Sequence, residues 1–557
     1  LAEQAKKPTN KRDPRLILVA VLVVVILLVG GLGYLYMKKG TRNNVDTLVY
    51  YAAESVLSLD PHDSYDTASF IPIVSIYDTL ITFPGEDIGN YTPALATSWT
   101  ASSDGLYYNF TLRTGVTFSN GNPFTAEDVK YSFERIIQMN SPDTGVAWIV
   151  TQDLDMSSIQ VIDDYNVSFH LTKPYPGFIA TVAQPMPSAI MSMDYVESHN
   201  TTKDPYAHEY IKHHPMGTGP YKLVKWTQNV ETVLIKNDAY WGGWTGQHVS
   251  HIIIKDTPEA NTRIQALKSG DADISSVPLM NVPDVANDTN IVVKPVKTFQ
   301  IELIAMCTNT TRADHAFMTN PQVRQALCYA FDYANTSRVY YGGYLDPVQG
   351  CIPNGMPLAA ESQPYKEFSF DLRMASQLLN DSGYTLNSQN VRFNGVALDY
   401  FVDEADTDRG NVAVGYATNL QRIGIQVNLQ RVPTSVLEDT RMTTNWDMYM
   451  SAWIIDYLDP DDYVVPIAVS YANSGDYFRT GIDNATINDA AAEASSTINT
   501  TTRIADYHTV WEVLNADPNA VFIGQLEYVV FYRTVVHGFM FNPVLWYEFY
   551  NYYKSTA

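Results

Sequence analysis

Cysteine is scarce in this chain, with only Cys307, Cys328 and Cys351 among 557 residues. An odd count permits at most one internal disulfide, and neither a CxxC pair nor a Cys/His zinc spacing is present. The three read as small buried residues, with one bridge between two of them as the alternative. Positive charge is also short: 36 Lys and Arg stand against 60 Asp and Glu, a net charge of -24. A nucleic-acid partner requires a basic face, so that class is set aside. The HExxH, GxSxG and Walker A patterns are missing, and GGLG at Gly30 to Gly33 falls inside an apolar run. Acidic residues are so common that a pair of carboxylates carries no meaning without spatial information. His199, His208, His213 and His214 group loosely and read as solvated loop residues before metal ligands, and Asp60-Pro61-His62-Asp63 reads as a turn. A non-enzyme with no cofactor and no metal is therefore expected.

Long apolar runs are likewise rare, and the single one stands out. From Leu16 to Met37 the chain reads LILVAVLVVVILLVGGLGYLYM without a charge. As a helix it would extend about 33 Å, enough to cross a hydrocarbon core. It lacks a polar face and an A-x-A-like cleavage site, which argues against a core helix and a cleaved signal. Lys6, Lys7, Lys11, Arg12 and Arg15 precede it, against Lys38, Lys39 and Arg42 after it. The excess puts the N-terminal side in the cytoplasm. The expectation is a single-pass cell-membrane anchor at 16–37, a cytoplasmic segment at 1–15 and an extracellular globular part. Ten Asn-X-Ser/Thr acceptors follow it, at Asn90, Asn109, Asn166, Asn200, Asn287, Asn309, Asn335, Asn380, Asn484 and Asn499. In LYYNFTLR the alternation turns Asn109 away from the core.

Hydrophobic residues make up 46% of the chain, which suits a globular protein, and no linker or repeat divides it. Short strand patterns alternate with helical ones, predicting a mixed α/β fold. Thr125 and Asp128 form a capping box before the stripe Val129, Phe133, Ile136 and Ile137. Asn320-Pro321 caps a second helix through Val323, Ala326, Leu327, Ala330 and Phe331. A third is expected from Leu372 to Asn380, ended by Gly383, and a strand from Ile425 to Val432.

Several blocks then accumulate in order: LDPH at Leu59 to His62, IYDTL at Ile76 to Leu80, PALATSW at Pro93 to Trp99, and FTLRTGVTFSNGNPFTAEDVKYSFER at Phe110 to Arg135. GTGPY at Gly217 to Tyr221, NDAYWGG at Asn237 to Gly243 and RIQALKSGDADI at Arg263 to Ile274 follow. NPQVRQALCYAFD at Asn320 to Asp332, LQRIGIQVNL at Leu420 to Leu429 and WDMYMSAWIIDYLDPDDY at Trp446 to Tyr463 complete the series. With these blocks the chain resembles the family-5 extracellular solute-binding proteins, the peptide and nickel receptors of ABC importers.

The resemblance implies a two-lobed, type II periplasmic-binding-protein fold with an extra subdomain. The first lobe would comprise 45–70, 212–300 and 525–557, the extra subdomain 71–211 and the second lobe 301–524. Most of the signature reads as structural, with the GTGPY glycines serving backbone angles. The exception is WIIDYLDP. The resemblance implies that Asp456 holds the α-ammonium of a peptide, with Trp453 and Tyr457 beside it. An Arg that some receptors place before this Trp is missing here, and Arg409 is the substitute candidate for a C-terminal carboxylate. The implied function is capture of an oligopeptide for an ABC permease and its ATPase. An oligosaccharide, stacked on Trp241, Trp244, Trp446 and Trp453, is the alternative ligand. A glycosylated envelope or sensor protein without transport is a third reading.

Overall fold

Residues 44–139, 145–348, 350–365, 368–443, 445–473 and 475–556 are described by a computed structural model. The expected anchor at 16–37 and the segment 1–15 lie outside the described residues. Among the described residues no helix is long and apolar enough to cross a membrane.

The locally signalled elements form where side chains satisfy the free backbone groups at their ends. Asp128 accepts the Thr125 N–H at 2.9 Å and opens the helix Ala126–Gln138, which buries Val129, Phe133 and Ile136. Asn320 accepts from Gln322 N–H at 2.9 Å and opens Pro321–Tyr329. The helix Leu372–Asp381 ends before Gly383, whose φ of 87° lies in the left-handed region that glycine tolerates. In the strand Tyr107–Leu112 exposed and buried residues alternate, with Asn109 outward. The strand expected from Ile425 begins at Val427 and runs to Val432. It is the edge strand of its sheet, so neither of its faces is fully buried.

Three sheets organise the chain. A seven-stranded sheet joins Thr47–Ala52, Tyr221–Thr227, Glu231–Lys236, His251–Asp256, Ile274–Ser275 and Ile291–Val296 with the late strand Tyr528–Arg533. A six-stranded sheet contains Ile301–Met306, Leu345–Asp346, Leu398–Asp403, Val427–Val432, Met448–Trp453 and Ala520–Leu526. A four-stranded antiparallel sheet, Ala96–Ala101, Tyr107–Leu112, Asn166–His170 and Ile159–Asp163, carries the helix Ala126–Gln138. The chain passes between the two large sheets twice, through 297–300 and at Glu527. The crossings are adjacent: Thr298 Oγ1 donates to Leu526 O at 2.6 Å, and Leu526 N–H donates to Gln300 O at 2.9 Å.

Signature blocks far apart in sequence meet as buried polar links. Arg135, the end of SFER, donates to both carboxylate oxygens of Asp60 in LDPH, at 2.9 and 2.5 Å, and neither side chain is exposed. Burial alone would raise the Asp60 pKa, but the Arg135 charge and its hydrogen bonds hold the carboxyl well below the usual range. Burial and the same guanidinium push His62 down to about 3, so it stays neutral. Asp78 of IYDTL accepts from Thr218 of GTGPY and Trp241 of NDAYWGG, each at 2.8 Å.

The GTGPY glycines serve a different purpose from the one expected. Neither Gly217 nor Gly219 has a positive φ. A Cβ at Gly217 would lie 2.1 Å from Ile76 O, and one at Gly219 2.6 Å from the Ile76 carbonyl carbon. The requirement is close approach of two backbones.

Two variants test these links by urea denaturation. Arg135→Met strands a buried carboxylate and costs about 3–5 kcal/mol, part of which Asp60→Asn restores in the double variant. Gly217→Ala costs about 1–3 kcal/mol through overpacking.

Candidate ligand-binding site

A cavity of about 210 Å³, partly open to solvent, lies between the strand Met448–Trp453 of the six-stranded sheet and the helix Thr67–Ile76. Its far wall belongs to the strand Met448–Trp453 and the turn that follows, and ends at Asp456. Its near wall is built by Tyr65 and by the helix Thr67–Ile76, whose first turn Asp66 caps by accepting Ser69 N–H at 2.8 Å. The C-terminal stretch adds Val544 and Trp546.

Asp456 is only 8% exposed. Tyr65 Oη donates to its Oδ2 at 2.5 Å, and Tyr65 in turn accepts from Trp148 Nε1 at 3.4 Å. The Tyr65–Asp456 bond therefore spans the cleft. Burial pushes the Asp456 carboxyl up to about 7, a rise that the Tyr65 hydroxyl only partly offsets. The backbone of the turn is fixed from behind. Asp462 Oδ2 accepts Asp456 N–H at 2.9 Å, and the Gln184 amide donates to Asp456 O. Asp462 Oδ1 also accepts Trp453 Nε1 at 3.4 Å. The Trp453 ring meets Tyr477 edge-on at 5.1 Å and Phe478 at 5.9 Å. Such a site can bind an ammonium: a desolvated carboxylate gains far more from a cation than a solvated one does.

Of the expected site residues, Asp456 and Trp453 line this cavity. Tyr457 does not; it is fully buried on the other side of the turn. It packs against Trp148 and Tyr175, with ring centroids 5.8 and 6.4 Å away, and accepts from Gln152 Nε2 at 3.1 Å. Arg409 lies in the adjoining part of the cleft, but its Nε and Nη2 grip Glu302 at 2.8 and 3.0 Å. Among the four tryptophans weighed for stacking, only Trp453 lines the Asp456 cavity. Trp446 is fully buried, and Trp244 packs among Tyr221, Tyr240 and Tyr550. Trp241 hydrogen-bonds Asp78.

Sequence reasoning missed Tyr65, Gln184, Arg441, Tyr477 and Trp546, all of which line the cavity. Trp546 has a φ of 61°, a strained left-handed angle for a bulky residue, and this is the kind of signal only a structure gives.

The histidines do not converge on a metal. His199 and His214 stack on Tyr210, with centroids 3.8 and 4.2 Å away, and His213 stacks on Trp226 at 4.9 Å. His208 faces Asp60 and Asp63. Elsewhere, among the described residues, His315, Asp399 and Asp447 come together. There Arg312 bridges both carboxylates at 2.5 Å and already supplies the positive charge.

Comparison with known proteins agrees with this geometry. The chain is 24% identical over 506 residues to the probable D,D-dipeptide-binding periplasmic protein DdpA of Escherichia coli, covering 90% of this chain and 92% of that one. It is 30% identical over 338 residues to the glutathione-binding protein GsiB of Salmonella paratyphi A, covering 60% and 61%. The Helicobacter pylori periplasmic binding protein DppA, solved with the peptide STSA, superposes with a TM-score of 0.78 at 26% identity, over 93% of this chain and 99% of that one. The mixed α/β architecture is thus the two-lobed periplasmic binding protein fold, and the relatives are binding proteins, not enzymes. Residues 90–475 match the family model "Bacterial extracellular solute-binding proteins, family 5 Middle", and the chain belongs to that family.

Proposed function

We propose that this protein is a membrane-anchored receptor that captures extracellular oligopeptides between its lobes and delivers them to an ABC permease and its ATPase. The observation that carries the reading is the Asp456 carboxyl group, desolvated at the head of the cleft and bonded, among the described residues, only by a neutral hydroxyl. The peptide or peptide-like ligands named for DdpA, GsiB and the Helicobacter protein support the same ligand class.

In this reading 45–70, 212–300 and 525–557 move as one lobe with the subdomain 71–211, and 301–524 moves as the other. The adjacent crossings at 297–300 and Glu527 support that division. Closure from about 1:99 to 99:1 requires roughly 5.5 kcal/mol of preference for the closed form. A ligand gains that preference only by touching both walls. The apolar run at 16–37 would tether the receptor near its permease. None of the ten glycan acceptors is buried, which leaves each accessible to modification.

Two measurements test the reading. In a thermal-shift panel, peptides with a free N-terminus raise the melting temperature, and oligosaccharides or N-acetylated peptides do not. A shift produced by sugars alone would overturn it. Binding is also coupled to pH, because an ammonium partner favours the ionised Asp456 and the ligand-free carboxyl holds its proton up to about 7. Affinity therefore rises as pH climbs from 5 to 7, by up to about tenfold per unit, and a proton is released on binding. It declines again as the peptide α-amino group loses its proton near pH 8. Calorimetry in buffers of different ionisation enthalpy reads both effects. Asp456→Asn abolishes the rise, and Asp456→Ala weakens binding by about 2–5 kcal/mol.

A further inference from the structure

The charge of the cleft beyond Asp456 narrows the ligand further, given the peptide reading above. Thr67, Ile454 and Trp546 line both the Asp456 cavity and a second cavity of about 320 Å³. Gln300, Asp406 and Tyr528 line that second cavity and a third of about 180 Å³. The three form one trough between the lobes. Among the described residues they are lined by eight carboxylates and two guanidinium groups.

Both guanidinium groups are already engaged. Arg441 pairs with Glu438 and donates to Tyr477 O at 2.7 Å. Arg409 pairs with Glu302 through two hydrogen bonds, and Asp406 lies 3.4 Å from its Nη1. Lys297, at the hinge, is shared between Glu527 at 2.5 Å and Asp346. No lining cation is therefore left for a ligand's carboxylate.

At the end away from Asp456 the carboxylates beyond the Arg409–Glu302 and Lys297–Glu527 pairs are Glu54, Asp406 and Asp408, of which Asp406 shares the Arg409 guanidinium with Glu302. Asp406 has a structural duty, accepting Arg409 N–H at 2.9 Å to cap the helix Thr407–Arg422. Glu54 accepts one hydrogen bond, from Thr67 Oγ1 at 2.8 Å. Asp408 accepts none among the described residues, and burial with the charges of Asp406 and Glu302 raises its pKa to about 6. A cation arriving there relieves like-charge repulsion as well as gaining attraction, whereas an anion finds only repulsion.

We infer that this receptor selects cationic peptides: the N-terminus meets Asp456, a lysine or arginine side chain meets Glu54, Asp406 and Asp408, and no side chain neutralises a free C-terminal carboxylate. Arg409 then serves as the fixed partner of Glu302 and not as a carboxylate receptor.

The test is titration calorimetry on the full chain at neutral pH with three tetrapeptide series. One is all-alanine, one carries lysine at each of positions two to four, and one carries glutamate there; every peptide is made as free acid and as C-terminal amide. The best lysine peptide is expected to bind at least about tenfold tighter than the all-alanine peptide, and every glutamate peptide weaker than it. Amides bind at least as tightly as acids. Raising the salt shrinks the lysine advantage. In the double variant Glu54→Gln, Asp408→Asn the lysine and glutamate peptides come within about twofold of one another. Lysine and glutamate peptides that bind the wild type equally, with both weakened by Asp456→Asn, would overturn the inference and leave the peptide reading standing. Binding by no peptide at all overturns both.

Discussion

The two adjacent passages of the chain between its large sheets are the constraint on which the rest depends. They are held by short-range bonds that belong to neither sheet alone. Gln525 Nε2 donates to Thr298 O at 2.5 Å, Leu526 and Gln300 pair through the backbone, and the Tyr463 hydroxyl reaches Phe299 O. Lys297 adds its two carboxylate partners, but its side chain is 64% exposed, so it contributes little beyond shielding. A connection of this kind can absorb a rotation over a few residues while both sheets remain intact. It also fixes which residues face each other: the turn after Met448–Trp453 meets the start of Thr67–Ile76 because both leave their sheets on the side of the crossings.

The turn that carries Asp456 is shaped by charge that the protein keeps out of water. Asp462 is fully buried and spends its oxygens on Asp456 N–H and Trp453 Nε1. Asp461 beside it is also buried, and burial together with Asp459 raises its proton affinity. Asp459 alone has a full counter-charge, through Arg503 at 2.5 Å. Buried carboxylates are poor sources of stability. Their value here is geometric: Asp462 dictates where the backbone of 453–456 runs, and so where Asp456 presents its carboxylate.

Much of the local structure was legible because caps and periodicity act over a few residues. Thr125 with Asp128, Asn320 and Gly383 each mark a helix end through chemistry within their own turn. The meeting of LDPH with SFER could not be read that way, since Asp60 and Arg135 are brought together only by folding. The same limit applies to the cleft. Asp456 and Trp453 were named from a motif, but Tyr65, Gln184 and Trp546 come from segments with no signature of their own. Tyr457 follows Asp456 in sequence, yet the chain bends there after the strand has ended, and its ring turns inward toward Trp148 and Tyr175. Arg409 was an available cation in the sequence. In the fold, Glu302, 107 residues earlier, takes its guanidinium. Sequence can offer a charge but cannot say whether it is already spent.

Tyr65 sets a threshold for any solute that enters. Its hydroxyl gives Asp456 a hydrogen bond across the cleft, with Trp148 behind it. Burial and the neighbouring carboxylate keep that phenol protonated, so it remains a donor. A sugar hydroxyl could only replace one neutral donor with another, which returns little net free energy. An ammonium brings a full charge into a site that water does not screen, and it makes ionisation of Asp456 favourable in the same step. The exchange therefore favours cations over neutral ligands before any side chain is read. The acidic trough beyond extends the same preference along the ligand, so that one physical principle governs both ends of the cleft.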